Sequence, residues 1–344
     1  MNHKITNNLR MYILEKKMAE QIEAKDLRGS RNTNLVDAVP LDTPWTMFVE
    51  PTNACDFRCK FCPTGHLPLL AKAGRKVAMM EFKLYTSVID DLKFFPQKLK
   101  MLNLYKDGES LLHPRFIEMV RYAKQSRVSE KIWLKTNGNN LSFELNNELA
   151  TCGLDMIGIS AFTEQGFWDI AGTRVDYQQY RANIKDLHGR GVPISVKVAD
   201  TGLTEKEKRT FLDDFTDICD YITIEGLHGW SASDTYDWKL GTDQSFDGTE
   251  RTKKIACPLV MYMLTISANG DISICNDDFA HYHQLGNAED KSINDIWNGE
   301  KLKSFRRMHL NGLRHVNPAC DSCDYMEALP DTIDQHLDVL KGKI

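Results

Sequence analysis

Apolar residues fall into two alternating patterns along this chain. Short apolar, β-branched-rich runs at 46–49, 101–105, 131–134, 156–160, 194–198 and 221–224 each predict a strand. Between them, at 81–94, 114–126, 142–152, 177–190 and 205–215, apolar positions recur with the helical period. Ser142 is a cap for its helix, with Glu144 close behind, and Pro114 suits a first turn. Strand–helix alternation implies an α/β fold with a parallel sheet and right-handed crossovers. Six such units, spanning 44–230, fall short of a closed eight-fold barrel. Upstream, 1–43 reads as a surface helix over 9–24 and an extended polar linker over 26–42. Downstream, 231–256 is mostly polar and reads as a linker or active-site loop.

The first predicted strand runs into Cys55, Cys59 and Cys62, spaced C-x3-C-x2-C on a loop. Thiolates are soft ligands that suit iron–sulfur clusters and zinc. A closed site takes four protein ligands, but the local count here is three, and His66 stands at no standard zinc spacing. Three thiolates on a four-iron cube leave one iron open to bind and activate a small molecule. The alternative is a partial zinc site or a group of buried structural cysteines.

With Phe61 before the last Cys, this loop closely resembles that of the radical S-adenosylmethionine enzymes. The resemblance covers roughly 44–228 and implies a partial (βα)6 barrel. It also implies that S-adenosylmethionine chelates the open iron and is split to a 5′-deoxyadenosyl radical, which abstracts a substrate hydrogen. A flavodoxin- or ferredoxin-type donor would supply the electron. In parallel α/β folds ligands sit at the carboxyl ends of strands, and the loops there match the family in turn. Gly108-Glu109, after the second strand, resembles the family's Gly-Glu motif that meets the cofactor amino group, with Asp107 in place of the usual first Gly. Thr136-Asn137-Gly138 resembles the loop lining the cofactor pocket, and Ser160 the serine that bonds the ribose. Relatives commonly carry an Asp where this chain has Phe162, and an Arg where it has Ala171. Arg174 or Lys197 is therefore the candidate partner of the cofactor carboxylate. Glu225 and His228, after the sixth strand, are candidate substrate contacts.

Residues 257–330 carry a second constellation, C-x12-G-x4-C and then C-x2-C, formed by Cys257, Cys275, Cys320 and Cys323. Apolar runs at 263–266 and 272–274 flank Asn269-Gly270, a hairpin signature. Ser292 caps a predicted helix over 293–309, and 331–344 reads as a tail helix. Four thiolates complete a closed site, for which zinc is the alternative. The arrangement closely resembles the auxiliary-cluster domains of the same family, SPASM and its shortened form Twitch. It implies one auxiliary 4Fe–4S cluster beside the S-adenosylmethionine-binding one. Cys152 and Cys219 each precede a strand and read as buried inert thiols.

Composition narrows the function further. The chain has 344 residues, 42% hydrophobic and 26% charged, with net charge −5. No basic face for nucleic acid or lipid is implied, and no apolar run approaches the ~18 residues of a membrane span. Nine cysteines without an apolar leader point to metal or redox use in the cytoplasm. A closed auxiliary cluster can accept an electron, so oxidation of a hydroxyl-bearing carbon is the expected reaction, as in the Twitch-type aminocyclitol dehydrogenases. It needs a base, and Asp277, then Asp278, directly follow Cys275. The expected substrate is a small sugar- or cyclitol-like molecule. Peptide crosslinking or epimerisation is the alternative within the family, although 1–43 is too short for the recognition domain of some peptide-modifying relatives. A non-catalytic iron–sulfur or zinc binding protein is the alternative outside it.

Overall fold

The computed structural model describes residues 34–227, 250–321, 323–329 and 331–344. The helix expected over 9–24, most of the 231–256 stretch, and His228 lie outside the described residues.

Strands β1 (Thr46–Val49), β2 (Leu99–Asn103), β3 (Ser129–Thr136), β4 (Met156–Ser160), β5 (Ile194–Asp200) and β6 (Tyr221–Gly226) stand side by side in chain order, all parallel. Helices Phe82–Asp91, Phe116–Ser126, Phe143–Thr151, Tyr177–Gly189 and Glu205–Phe215 make the crossovers. Their starts are set by side chains: Ser142 Oγ accepts from Leu145 N at 3.2 Å, and Thr204 and Glu207 close a capping box. Pro114 stands before its helix instead of in the first turn; His113 Nδ1 accepts the Arg115 amide at 3.1 Å and delays the start to Phe116.

Alternation along the strands separates two faces. Ile132, Leu134, Ile157, Ile159 and Val196 are buried against the helices. Trp133, Lys135, Ser195 and Lys197 alternate with them and are half-buried, lining the inner face. Gly158 sits among these: a Cβ there would lie 3.1 Å from Lys135 Cγ and 3.3 Å from Ser195 Oγ.

The C-terminal segment continues the same sheet. Strand β7 (Met263–Ile266) pairs in parallel with β1, while β8 (Asp271–Ser273) and β9 (Gly286–Asn287) follow antiparallel, giving the order β6-β5-β4-β3-β2-β1-β7-β8-β9. The expected hairpin turn is present, with Gly270 at φ +84°. The helix expected over 293–309 is broken into Ile293–Trp297 and Glu300–Leu310. Gly299 makes the break; a Cβ there would lie 2.8 Å from Asp295 O. Trp297 is buried, donates to Leu41 O at 2.8 Å, and ties this segment to the chain before β1.

Two stretches expected to be linkers are partly core. Asn34 caps a short helix, Leu35–Ala38, and Leu35, Val36 and Val39 are buried. Lys254 is buried and donates to Met326 O at 2.9 Å and to Leu329 O, while Asp334 accepts the amides of Ile255 and Ala256. Apolar side chains and paired backbone fix both ends, which a count of polar residues does not register. Among the described residues no helix is long and apolar enough to cross a membrane.

Candidate active site with two groups of thiols

The loop after β1 is held from three sides. Thr52 Oγ1 donates to Ala78 O at 2.8 Å, and the Asn53 side chain bonds Lys76 O and Ala78 N at 2.9 and 2.7 Å. The amides of Arg58 and Lys60 donate to Ala171 O and Ile170 O, both at 2.9 Å. Ala171, at the position where relatives carry Arg, thus serves this loop through its backbone. Asp56 accepts from the side-chain amides of Asn137 and Asn139 at 2.6 and 2.8 Å, binding the thiol loop to the loop after β3.

Cys55, Cys59 and Cys62 are free, half-buried thiols on this framework. Burial pushes all three up, Cys55 to about 12, and the neighbouring thiols push Cys55 and Cys59 further. Three such sulfurs become thiolates together only against a strong local positive charge, which bound iron supplies. The donor set therefore fits an iron–sulfur cluster held by three cysteines.

The cofactor-contact candidates gather at the same end of the sheet. Gly108 is where backbone meets backbone: a Cβ there would lie 2.6 Å from Ala54 O and would collide with Thr52 O. Glu109 is buried, and its oxygens accept from Thr136 Oγ1, Asn137 N and Leu111 N at 2.8, 2.7 and 3.0 Å. Burial pushes its carboxyl up to about 7, against the pull of those hydrogen bonds. Glu109, Thr136 and Asn137 are thus one brace across two loops. Phe61 packs on Phe162 with ring centroids 6.4 Å apart, and Phe162 packs edge-on to Phe167 at 5.6 Å. Ser160 ends β4 opposite Lys197. Lys197 Nζ is 2.6 Å from Glu225 Oε2. Arg174 is exposed and stacks over Trp168, with its guanidinium carbon 4.5 Å from the ring centroid. The structure gathers Phe61, Gly108, Glu109, Thr136 and Asn137 around the thiol loop, and pairs Lys197 and Arg174 elsewhere.

Sequence reasoning missed a buried ionic knot at this end. Asp107 takes Arg75 and Lys106, each at 2.5 Å, and its amide donates to Glu50 Oε1 at 3.1 Å. Burial pushes Asp107 up, but Lys106 and Arg75 outweigh it and hold the carboxyl below its ordinary value. Glu50 also accepts the Ala268 amide at 3.1 Å, and Arg75 donates to Phe279 O at 2.9 Å. Asp107, standing where the family has Gly, thereby anchors the barrel end to the C-terminal segment. No local motif marks Arg75 or Glu50; only their meeting in space does.

Cys257, Cys275, Cys320 and Cys323 line one pocket, with Leu259, Tyr325 and Met326 among its walls. All four thiols are free. Burial pushes Cys257 to about 12 and Cys275 and Cys323 well above the ordinary range, with neighbouring thiols adding to each. The same argument applies to these three, and with Cys320 beside them the four thiols fit a fully ligated cluster. Asp277 is 1% exposed; its amide donates to Cys275 Sγ at 3.3 Å, and its charge acts on Cys275, Cys323 and Tyr325. Asp278 is committed to its own loop, accepting the amides of Tyr282 and His283 at 2.9 and 2.8 Å and pairing with His283 Nδ1 at 3.1 Å. Burial opposes that pair but is outweighed: Asp278 is held down to about 2 and His283 pushed up to about 10. Cys152 and Cys219 are buried and face backbone carbonyls.

Comparison with known proteins identifies relatives of both halves. The Radical SAM superfamily profile matches residues 49–216, and the SPASM iron-sulfur cluster-binding domain matches residues 257–324. A tungsten-containing aldehyde ferredoxin oxidoreductase cofactor-modifying protein of Pyrococcus furiosus is 32% identical over 333 residues, covering 82% of this chain and 88% of that one. The S-adenosyl-L-methionine-dependent 2-deoxy-scyllo-inosamine dehydrogenase of Niallia circulans is 29% identical over 70 residues, 20% of this chain and 28% of that one. Among solved structures, BtrN in complex with AdoMet and 2-DOIA has a TM-score of 0.52 at 16% identity, covering 81% of this chain and 92% of that one. Streptococcus suis SuiB bound to precursor peptide SuiA has a TM-score of 0.59 at 14% identity, covering 86% and 72%. These two likenesses show a shared fold.

Proposed function

The chain belongs to the radical SAM superfamily and carries the C-terminal SPASM domain, and from that premise we propose that it oxidises a hydroxyl-bearing carbon of a small sugar- or cyclitol-like molecule. The bound groups would supply hydrogen-atom abstraction at the first site and one-electron acceptance at the second. This chain's residues supply the rest. Cys55, Cys59 and Cys62 would hold the first group, and Gly108 lets the neighbouring backbone approach closely. Cys257, Cys275, Cys320 and Cys323, which line one pocket, would hold one auxiliary 4Fe–4S cluster, the Twitch arrangement. Asp277 takes the hydroxyl proton. The balance would close as follows: the substrate carbon gives its hydrogen atom to the 5′-deoxyadenosyl radical that the first group would supply, the hydroxyl gives its proton to Asp277, and the second group would take the remaining electron, leaving a carbonyl.

The observation that carries this reading is the position of Asp277, a buried carboxylate whose amide touches the sulfur of an auxiliary ligand. A base beside the electron acceptor lets proton and electron depart at one place. Asp277→Asn is expected to keep both clusters and S-adenosylmethionine cleavage but to lose oxidised product by about 10²-fold or more. Unchanged turnover would remove Asp277 from the reaction. A flavodoxin- or ferredoxin-type reductant in the cytoplasm suits a chain whose nine cysteines are in no disulfide among the described residues.

The Pyrococcus relative favours a second reading, in which the substrate is the cofactor of another enzyme instead of a free sugar. Following deuterium from each candidate substrate into 5′-deoxyadenosine distinguishes the two.

A further inference from the structure

We propose that His283 and His309 raise the reduction potential of the auxiliary cluster through the Cys320 sulfur, and so make that cluster able to accept the substrate electron. This rests on the reading of Cys257, Cys275, Cys320 and Cys323 as ligands of one cluster. Two imidazoles converge on one sulfur: His283 Nε2 is 3.3 Å and His309 Nε2 3.5 Å from Cys320 Sγ.

The hydrogen-bond partners fix which ring nitrogens carry hydrogen. His309 Nδ1 accepts the Cys257 amide at 3.3 Å, so the ring hydrogen is on Nε2, facing the sulfur. His283 Nε2 also faces Asn317 Oδ1 at 3.0 Å. That oxygen accepts the amides of Ala319 and Cys320 at 3.0 and 3.3 Å, which identifies it as the carbonyl end of the side chain. An oxygen of that kind only accepts, so His283 Nε2 carries a hydrogen and shares it between Asn317 and Cys320. Asp278, fully buried, holds the far side of the ring through Nδ1. Phe305 packs against both imidazoles, with ring centroids 5.1 and 5.0 Å away. The rings are 5% and 0% exposed, so water does not compete for either hydrogen.

Hydrogen bonds to a ligand sulfur draw electron density from it and stabilise the reduced, more negative cluster. His283, His309 and, behind them, Asp278 and Asn317 are therefore positioning residues for electron transfer. Simple packing histidines would leave the potential alone.

The test uses the full chain with Cys55, Cys59 and Cys62 changed to Ala, reconstituted anaerobically, so that the auxiliary cluster is read alone by potentiometric titration. About four irons per chain are expected to remain. His309→Phe or His283→Leu should each lower the cluster's reduction equilibrium about tenfold, about 59 mV for one electron. His309→Gln, which keeps an N–H, should restore part of it. A second measurement needs no variant at either ring: with 15N-labelled histidine, the reduced cluster should show nitrogen and exchangeable-proton couplings. Four irons with unchanged potentials, or reduced cluster without those couplings, would overturn the proposal alone. Loss of all cluster iron from the parent variant would instead overturn the four-cysteine reading beneath it.

Discussion

Cys55, Cys59 and Cys62 stand on one short loop whose shape is imposed by neighbours, through Asp56, Ala78 and the carbonyls of Ile170 and Ala171. Cys257, Cys275 and the Cys320–Cys323 pair come from three separated segments that meet around one pocket, with two histidines against Cys320. One group is local; the other is assembled by the fold. On the proposed reading the contrast divides the labour: three thiolates would leave a position for chemistry, and four would hold a group that takes charge. The buried knot of Glu50, Arg75, Lys106 and Asp107 joins the two places mechanically while keeping their ligands distinct.

The largest test of that division removes one group at a time. Replacing Cys55, Cys59 and Cys62 by Ala should abolish 5′-deoxyadenosine formation, a loss beyond detection. Replacing Cys257 and Cys320 should keep 5′-deoxyadenosine formation but abolish oxidised product. If the second variant also stops cofactor cleavage while folding normally, the two centres are not separable. A smaller effect sharpens the local side. Gly108→Ala forces a methyl against Ala54 O and Thr52 O, destabilising the chain by about 1–3 kcal/mol in denaturant. Iron should leave the first site and stay at the second; equal loss from both would contradict a local effect.

The smallest effect is a pH dependence of the brace. Glu109 has its carboxyl raised from 4.5 to about 7 in the folded chain. Between those values the folded chain keeps a proton that the unfolded chain has released. The Glu109 contribution therefore weakens the fold as pH rises through that window, by about 1.4 kcal/mol per unit at most, and levels off above it. The difference in unfolding free energy between the cluster-free chain and its Glu109→Gln variant should follow that curve. A flat difference from pH 4.5 to 7 would show that the carboxyl ionises normally.

The strands, the crossover helices and both cysteine spacings were legible in the sequence because each is a local signal: a period, a cap or a ligand interval. Other features depend on distant partners. β7 reads as half of a hairpin, and nothing in it announces that its other edge pairs with β1. Helix 293–309 looked continuous because Asn298-Gly299 is only a mild breaker; in the fold Gly299 is extended, and Asp295 O leaves no room for a Cβ there. Asp56 lies inside the first motif yet is indistinguishable there from any polar loop residue; its partners follow β3. His283 and His309 stand at no ligand spacing from any cysteine, and matter only because Asp278 and Phe305 aim them. Asp107 departs from the family pattern, and its reason lies in Arg75 and Lys106.

Strand β1 draws hydrogen bonds from β2 on one side and from β7 on the other, with Thr46 opposite both Met101 and Met263. During synthesis the ribosome delivers β2 early and β7 very late. Until then the strand that leads into Cys55 has a bare edge, which invites pairing with other nascent chains. A chain truncated before β7 should therefore collect in inclusion bodies.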